Sequence, residues 1–267
     1  MRNKQASPWP YPQVFAHRGA GTHAPENTLA AMRNGYARGY RAVEFDVMLS
    51  KDSVPILMHD PVFGRTILGT GQVNEFSAQQ MALMDAGGWH SAAFRGEPVP
   101  SFDDVARYCA QHDIAMNIEI KPSPGDEHET GHIVAQSLGQ LRLQLPALNT
   151  PTLEPLVSSF STDALAAFRS IDKKTSCGHL FDRIPTDWKN ILVSLDCQAL
   201  HCNWKHLSPQ MANAIKSAAY WLFCYTINDP IKAADLIQLG VDGFCTDRLD
   251  LFDPAKAISA SGASLPS

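Results

Sequence analysis

Residues 42–49 form a strand-like run, Ala42-Val43-Glu44-Phe45-Asp46-Val47-Met48-Leu49. Because successive side chains of a β-strand point to opposite faces, one face of this run is apolar and the other carries Glu44 and Asp46, roughly 7 Å apart. Residues 115–121 repeat the pattern, with Glu119 and Lys121 on the polar face. The two runs predict strands that pack against helices on one side and present ionisable groups on the other.

Strand-like runs alternate with amphipathic helical stretches along the rest of the chain, which is typical of an α/β protein. We expect strands near residues 14–17, 42–49, 54–58, 114–120, 156–160, 176–180, 199–202, 221–227 and 243–246. We therefore predict a (β/α)8 TIM-type barrel, in which one of nine candidate strands is wrong or lies outside the barrel. Only residues 50–53 separate the second and third strands, too few for a crossover helix, so this pair should be an antiparallel hairpin or a strongly bent pair.

The domain organisation follows from length and local composition. A chain of 267 residues suits one barrel, so we predict a single domain over residues 1–267. Residues 60–100 are rich in glycine and aromatic residues and are expected to form a small insertion after the third strand, folded over one end of the barrel. Residues 259–267 are expected to be a loose tail.

Composition excludes several classes of partner. The chain is 45% hydrophobic and 18% charged, with a net charge of -5 and no basic run, so we expect no nucleic-acid partner. It has neither a signal-like N-terminus nor a long apolar run, so we expect no stable membrane association. The six cysteines fall mostly in apolar segments, which favours reduced thiols and a cytoplasmic location.

The polar strand faces predict a metal site. In a barrel the outer face must be apolar, so Glu44, Asp46 and Glu119 should point inward, where carboxylates are costly without a compensating cation. Three carboxylates suit one hard divalent cation, Mg²⁺ or Ca²⁺, with Mn²⁺ also compatible. The other interpretation is a partly exposed sheet with Glu–Lys surface pairs, which two strands with the same pattern make less attractive.

Zinc is a weaker interpretation of the residues near position 200. Four residues of the types that bind zinc lie close together in the sequence: Cys197, His201, Cys202 and His206. Residues 201 and 202 should point to opposite faces of a strand, so these side chains are not expected to converge on one ion. His201 alone has the position to reach the barrel mouth.

Two histidines and two cations accompany the carboxylates. His17 and Arg18 end the first strand, His59 follows the third, and Lys121 ends the fourth. Imidazoles exchange protons near neutral pH and suit a general acid–base pair. Arg18 and Lys121 supply positive charge for an anion, with Arg18 able to grip a phosphate through two bonds. Together with a metal, this set predicts phosphoryl chemistry.

These residues and their surroundings resemble the glycerophosphodiester phosphodiesterase family, in its bacterial cytoplasmic form. The resemblance spans about residues 14–250, and its most specific element is His-Arg-Gly followed by Pro-Glu-Asn-Thr. The matching stretches are Ala16-His17-Arg18-Gly19, Ala24-Pro25-Glu26-Asn27-Thr28, Glu44-Phe45-Asp46-Val47, residues 54–60, Asn117-Ile118-Glu119-Ile120-Lys121, Tyr225-Thr226-Ile227-Asn228 and residues 241–247.

The resemblance implies metal-dependent hydrolysis of glycerophosphodiesters to sn-glycerol 3-phosphate and an alcohol. By match, Glu44, Asp46 and Glu119 would bind the metal, and His17 and His59 would be the acid–base pair. Arg18 and Lys121 would hold the phosphate, Tyr225 would form a platform for the glycerol where many relatives have tryptophan, and Glu26 and Asn27 would support the site. The implied partner is a small glycerophosphodiester, with no indication of oligomeric state.

Three alternatives remain open at this point. A metal-assisted isomerase or lyase would use Lys121 as a base, but it leaves His-Arg-Gly without a purpose. A non-catalytic barrel that binds phosphorylated ligands is also compatible with the pattern, as is cleavage of lysophospholipids, which requires an apolar groove. Assays with enolisable acids, glycerophosphodiesters and lysophospholipids separate these alternatives.

Overall fold

A closed barrel of parallel strands forms the centre of the computed structural model, which describes residues 8–144, 154–256 and 258. Its strands are β1 (Val14–Ala16), β2 (Ala42–Leu49), β3 (Pro55–Leu57), β4 (Ala115–Ile120), β5 (Leu156–Ser159), β6 (Ser176–Phe181), β7 (Ala199–Asn203), β8 (Trp221–Tyr225) and β9 (Gly243–Thr246). The sheet runs β1-β9-β8-β7-β6-β5-β4-β2, and β1 pairs with β2 to close it. The predicted TIM-type barrel is confirmed.

The ninth candidate strand, β3, lies outside this closed ring. It pairs with β2 in antiparallel fashion, with Val47 opposite Leu57 and Leu49 opposite Pro55. Ser50 closes the tight turn between them by donating its backbone N–H to the Val54 carbonyl at 3.0 Å. The predicted hairpin is therefore present, and it leaves eight parallel strands for the barrel.

Helices follow most of the barrel strands. They are α1 (Leu29–Ala37), α2 (Ala78–Met81), α3 (Phe102–Gln111), α4 (Glu127–Gln144), α5 (Thr162–Ile171), α6 (Trp188–Ser194), α7 (Pro209–Ser217) and α8 (Pro230–Gln238). Their starts follow local chemistry: Ser208 and Asp229 cap α7 and α8 by accepting N–H bonds of the first turn, and each is followed by proline at the first helical position.

Apolar packing confines the polar groups to one end of the barrel. Outside the strands, Val43 and Phe45 of β2 are buried in the main core between sheet and helices. Inside the barrel, a second cluster plugs the end where the strands begin and includes Phe15, Leu156 and Trp221. Among the described residues, the cavity inside the barrel therefore lies toward the C-terminal ends of the strands, where barrel enzymes have their active sites.

Residues 60–100 pack beside the β2–β3 hairpin through a small apolar cluster of their own. Ile67, Val73 and Met81 of this segment are buried against Met48 and Ile56. The assignment of residues 1–267 to a single domain with residues 60–100 as a family-type insertion stays a prediction. The expected tail at residues 259–267 lies outside the described residues.

Two expectations from composition can be compared with the structure. All six cysteines are buried and free of disulfide bonds. Within the described part of the chain, no helix combines the length and apolar character needed to cross a membrane.

Asp172, at the end of α5, is expected to contribute stability that depends on pH. It accepts bonds from Arg142 at 2.5 Å, from the Thr175 hydroxyl at 2.5 Å and from two backbone N–H groups. Burial raises the pKa of Asp172, but these donors outweigh burial and hold the pKa below its ordinary value. Asp172→Asn should therefore cost about 2 kcal/mol of unfolding free energy at pH 7.

The pH dependence follows from the depressed pKa. The contribution of Asp172 is complete above the pKa of the unfolded chain, near 4, and is lost as pH falls through the lower folded pKa. The difference in unfolding free energy between wild type and Asp172→Asn, measured by urea unfolding, should thus become smaller below about pH 4. Asp163→Asn, at an exposed position on the same helix, is the control, and its unfolding free energy should stay within about 0.5 kcal/mol of that of wild type. An equal gap at pH 7 and pH 3 would contradict the prediction.

Candidate active site

Three buried carboxylates meet at the C-terminal end of the barrel. Glu44 and Asp46 come from β2 and Glu119 from β4, and Asp46 and Glu119 are direct neighbours in register. One ligand oxygen from each lies within 4.8 Å of the others. Their common inward direction is the one predicted from strand alternation.

The electrostatics of this cluster favour a cation. Burial and the neighbouring carboxylates raise the pKa of Glu44 well above its ordinary value. Burial and Asp46 likewise raise the pKa of Glu119 to about 7. The Glu119 Oε1 atom is buried with no hydrogen-bond partner among the described residues. A donor set made only of carboxylate oxygens, one of them without a hydrogen bond among the described residues, fits a hard divalent ion.

Asp46 differs from its two neighbours because cations flank it. Burial raises its pKa, but the charges of Lys121 and Arg18 outweigh burial and leave the pKa below its ordinary value. Lys121 Nζ lies 3.5 Å from Asp46 Oδ1 and 3.7 Å from Glu119 Oε1. Asn27 orients Asp46 through two hydrogen bonds. The side-chain NH₂ of Asn27 donates to Asp46 Oδ2 at 2.8 Å, and its side-chain oxygen accepts the Asp46 backbone N–H at 3.1 Å.

The turn at His17-Arg18-Gly19 places the backbone N–H and the side chain of Arg18 next to the carboxylate cluster. Arg18 and Gly19 adopt left-handed conformations, with φ of 50° and 96°, directly after β1. This turn lets the Arg18 backbone N–H donate to Glu44 Oε2 at 3.1 Å. A Cβ on Gly19 would come within 2.9 Å of Ala31 in α1, so both the dihedral angle and the close packing require glycine.

The Arg18 guanidinium is held between two carboxylates. It donates to Glu26 Oε1 at 2.8 Å, and its Nε lies 3.6 Å from Asp46 Oδ2. That Nε is buried and makes no hydrogen bond within the described residues. Burial lowers the pKa of Arg18, but the surrounding carboxylates outweigh burial and raise it, so the group stays charged. Arg18 therefore presents a fixed positive charge beside the carboxylate cluster.

Each of the two predicted histidines has a carboxylate on its Nδ1 atom. His17 Nδ1 lies 2.5 Å from Asp247 Oδ1, and His59 Nδ1 lies 2.6 Å from Asp60 Oδ1. A carboxylate only accepts hydrogen bonds, so both pairs place the proton on Nδ1 in the neutral imidazole and leave Nε2 without one. The His17 Nε2 atom lies 3.8 Å from Glu44 Oε2. Burial lowers the pKa of His59. This arrangement suits two groups that exchange protons through Nε2.

The carboxylate cluster, Arg18, Lys121 and the two histidines border one cavity of about 210 Å³. Tyr225 forms part of its wall: the hydroxyl donates to the Phe181 carbonyl at 3.0 Å, and the ring meets Phe160 edge-on. Of the residues predicted from sequence, eight line the cavity: His17, Arg18, Glu44, Asp46, His59, Glu119, Lys121 and Tyr225. The remaining two, Glu26 and Asn27, hold Arg18 and Asp46 from behind.

Sequence reasoning missed three charged residues of this site. For Asp247, an aspartate directly after a strand, the default sequence interpretation is a capping or turn role, yet the structure shows that it holds His17. Asp60 and Arg65 were given no role, although Asp60 holds His59 and accepts a bond from Arg65 at 2.6 Å. The available signal for Asp247 was its place directly after β9, since residues that follow barrel strands gather at the same end.

The zinc interpretation finds no support in the described residues. The carboxylate trio is their only group of three or more potential ligands close enough to share an ion. Cys202 packs against Cys224, whereas His201 lies inside the barrel against Phe223. The opposite orientation of residues 201 and 202 is the reason expected from strand geometry.

Comparisons with known proteins identify the family to which the chain belongs. The profile of the Glycerophosphoryl diester phosphodiesterase family matches residues 17–251. A Bacillus subtilis protein named for that activity, YhdW, is 32% identical over 252 residues, 89% of this chain and 95% of its own. The glycerophosphodiester phosphodiesterase of Caldanaerobacter subterraneus is 27% identical, over 88% of this chain and 93% of its own. A phosphodiesterase of Oleispira antarctica, solved with its product sn-glycerol 3-phosphate, is 33% identical with a TM-score of 0.82, covering 89% of this chain and 93% of that one. This chain belongs to the glycerophosphoryl diester phosphodiesterase family of enzymes.

Proposed function

We propose that this protein hydrolyses small glycerophosphodiesters to sn-glycerol 3-phosphate and an alcohol, with the aid of one divalent cation. The observation that carries the proposal is the convergence of two carboxylate-bound histidines, two cationic side chains and three buried carboxylates on one cavity. The product bound to the Oleispira antarctica relative supports the same product here.

Glu44, Asp46 and Glu119 would hold the cation, and Mg²⁺, Ca²⁺ or Mn²⁺ suits their oxygen donors. When bound, the cation neutralises charge on the phosphate oxygens and the repulsion among its carboxylate ligands. Cationic side chains of the protein would neutralise the remaining phosphate charge. Arg18 is fixed by Glu26, and Lys121 lies across the cluster from it, so both can contact non-bridging phosphate oxygens.

The two histidines can transfer the protons that the reaction requires. One takes the proton of a glycerol hydroxyl as its oxygen attacks phosphorus; the other donates a proton to the leaving alcohol as its P–O bond breaks. This first step forms a cyclic phosphate ester of glycerol. Water then opens the ring: the second histidine takes a proton from the water, and the first returns its proton to the glycerol oxygen. The Nδ1 bonds to Asp247 and Asp60 keep each ring oriented during the exchange. Tyr225 and Phe160 offer an aromatic wall for the glycerol carbons.

The size of the cavity agrees with a small polar substrate. About 210 Å³ falls below the roughly 300–1,000 Å³ of sites for drug-sized ligands. Glycerophosphocholine is therefore the first substrate to test, with lysophosphatidylcholine in parallel to measure how far an acyl chain is accepted.

The test is release of glycerol 3-phosphate by metal-stripped protein, with and without added Mg²⁺, Ca²⁺ or Mn²⁺. We expect release from glycerophosphocholine only when a cation is present, and slower release from the lysophospholipid. Folded protein that releases nothing from several glycerophosphodiesters with any metal would contradict the proposed reaction. Full activity after stripping, with the metal content verified as zero, would contradict the role of the cation.

A further inference from the structure

Arg65 connects the two halves of the proposed site from outside the cavity. Its Nη1 and Nη2 donate to the two oxygens of Glu26 at 2.6 and 2.7 Å, and its Nε donates to Asp60 Oδ2 at 2.6 Å. Glu26 in turn holds Arg18, and Asp60 holds His59. One guanidinium therefore joins the carboxylate behind the phosphate-binding arginine to the carboxylate behind a proton-transferring histidine.

The oxygens of both carboxylates are divided between Arg65 and the groups they orient. Asp60 uses Oδ1 for His59 and Oδ2 for Arg65, while Glu26 uses Oε1 for both arginines and Oε2 for Arg65 alone. Burial raises the pKa of Glu26, but the bonds from Arg65 and the charge of Arg18 outweigh burial and lower it. Without Arg65, each carboxylate loses the contact that fixes its rotation.

The segment that carries Arg65 is itself well anchored. Phe63 donates its backbone N–H to the Gly71 carbonyl at 2.9 Å, and Gly64 donates to the Ile67 carbonyl at 2.8 Å. Ile67 is 3% exposed and belongs to the apolar cluster beside the β2–β3 hairpin. Arg65 thus reaches the site from an ordered loop, although 44% of its side chain faces solvent.

We propose that Arg65 is a positioning residue, whose guanidinium locks Glu26 and Asp60 so that Arg18 and His59 keep their orientation toward the cavity. The role requires the planar fork of arginine, because three directed bonds go to two carboxylates at once. A lysine ammonium retains the charge but not that geometry. The inference rests on the proposed function for its kinetic test, and it also has a test that needs no substrate.

The kinetic test compares Arg65→Met, Arg65→Lys and Arg65→Ala with wild type, using glycerophosphocholine and saturating cation. Misplacement of catalytic groups by about 1 Å costs roughly 10²-fold, so kcat of Arg65→Met should fall by about 10- to 100-fold, with KM changed less than about threefold. Arg65→Lys should recover little of the loss. Methylguanidinium at millimolar concentration should partly restore Arg65→Ala, because the emptied position is open to solvent.

Arg95→Met and Arg95→Ala are the matched controls. Arg95 lies in the same 60–100 segment, is exposed and forms no ion pair within the described part of the chain. Wild-type kcat in Arg65→Met would overturn the inference. Complete recovery in Arg65→Lys would also overturn it, since charge alone would then suffice. Methylguanidinium that fails to raise kcat of Arg65→Ala, or raises it no more than that of Arg95→Ala, would count against it in the same way.

Side-chain ¹⁵N NMR of the histidines provides the test without substrate. We expect the His59 signals to show a single Nδ1-protonated form in wild type and a mixture of tautomers in Arg65→Met, with the His17 signals unchanged. Identical His59 signals in the two proteins would overturn the inference. If wild type hydrolyses no glycerophosphodiester, the proposed function fails, whereas the NMR comparison still decides the role of Arg65.

Discussion

Replacing Glu119 with glutamine is expected to lower kcat/KM for glycerophosphocholine by about 10³-fold or more and to weaken cation binding by at least about 100-fold. Glu119 is buried, lies opposite Asp46 in register and has one oxygen without a hydrogen-bond partner in the described residues. The substitution keeps the shape of the side chain but removes one of three anionic ligands. The loss therefore reports on the charge at this position and not on packing.

The same variant should separate metal binding from folding. In the absence of a cation, burial and the repulsion from neighbouring carboxylates raise the pKa values of Glu44 and Glu119, so the three negative charges are unfavourable together. Metal-free Glu119→Gln should thus be at least as stable as metal-free wild type. Added Mn²⁺ should raise the melting temperature of wild type, because a ligand that binds only the folded state stabilises it, and should raise that of the variant much less.

Thermal shift with a Mn²⁺ titration, together with the glycerol 3-phosphate assay, measures both effects. Glu127→Gln on α4 is a suitable control, because within the described residues this glutamate accepts the Gly125 N–H at a helix start, away from the cavity, and should leave both readouts near wild type. An equal metal-induced shift in wild type and Glu119→Gln would remove Glu119 from the ligand set. An activity loss without any change in metal binding would assign it a different role.

The carboxylate cluster was predictable because strand alternation and burial are both visible in sequence. Glu44 and Asp46 interrupt an otherwise apolar run at alternate positions, and Glu119 does the same in β4. Once a barrel is assumed, the outer face has to be apolar, so the direction of these side chains is fixed. The site residues drawn from strand ends, such as His17 and Lys121, follow from the same geometry.

The partners of the histidines were not predictable in this way. Asp247 lies 230 residues from His17 and reaches it only because β9 and β1 become neighbours when the barrel closes. Arg65 lies in a loop whose path depends on turns and an apolar cluster, neither of which follows from strand periodicity. An isolated aspartate after a strand more often caps a turn, so local sequence favours the wrong interpretation of Asp247.

Asp247→Asn is expected to reduce kcat by about 10²- to 10⁴-fold, and to be more damaging than Asp247→Ala. In the wild-type protein the Asp247 carboxylate accepts a hydrogen bond from His17 Nδ1 through Oδ1 at 2.5 Å and one from the Asn228 amide through Oδ2 at 3.1 Å. An asparagine at 247 would turn its oxygen toward the Asn228 amide, since two NH₂ groups cannot share that contact. Its own NH₂ would then face His17 and stabilise the tautomer with the proton on Nε2. An aspartate-to-asparagine change beside a catalytic histidine has a comparable effect in serine proteases.

The geometry also predicts which second substitution restores activity. In Asp247→Asn combined with Asn228→Asp, residue 228 accepts the new NH₂, so the amide oxygen of residue 247 can face His17 again. Residue 228 keeps an oxygen for the backbone N–H of residue 247, which it now accepts at 2.8 Å. We expect the double variant to recover at least about tenfold in kcat over Asp247→Asn, because the correct tautomer is favoured again. Asp250→Asn, three residues away at the surface, should remain near wild type. A double variant no better than Asp247→Asn, or an Asp247→Ala that is equally impaired, would mean that Asp247 acts through its charge or its volume and not by selecting the tautomer of His17.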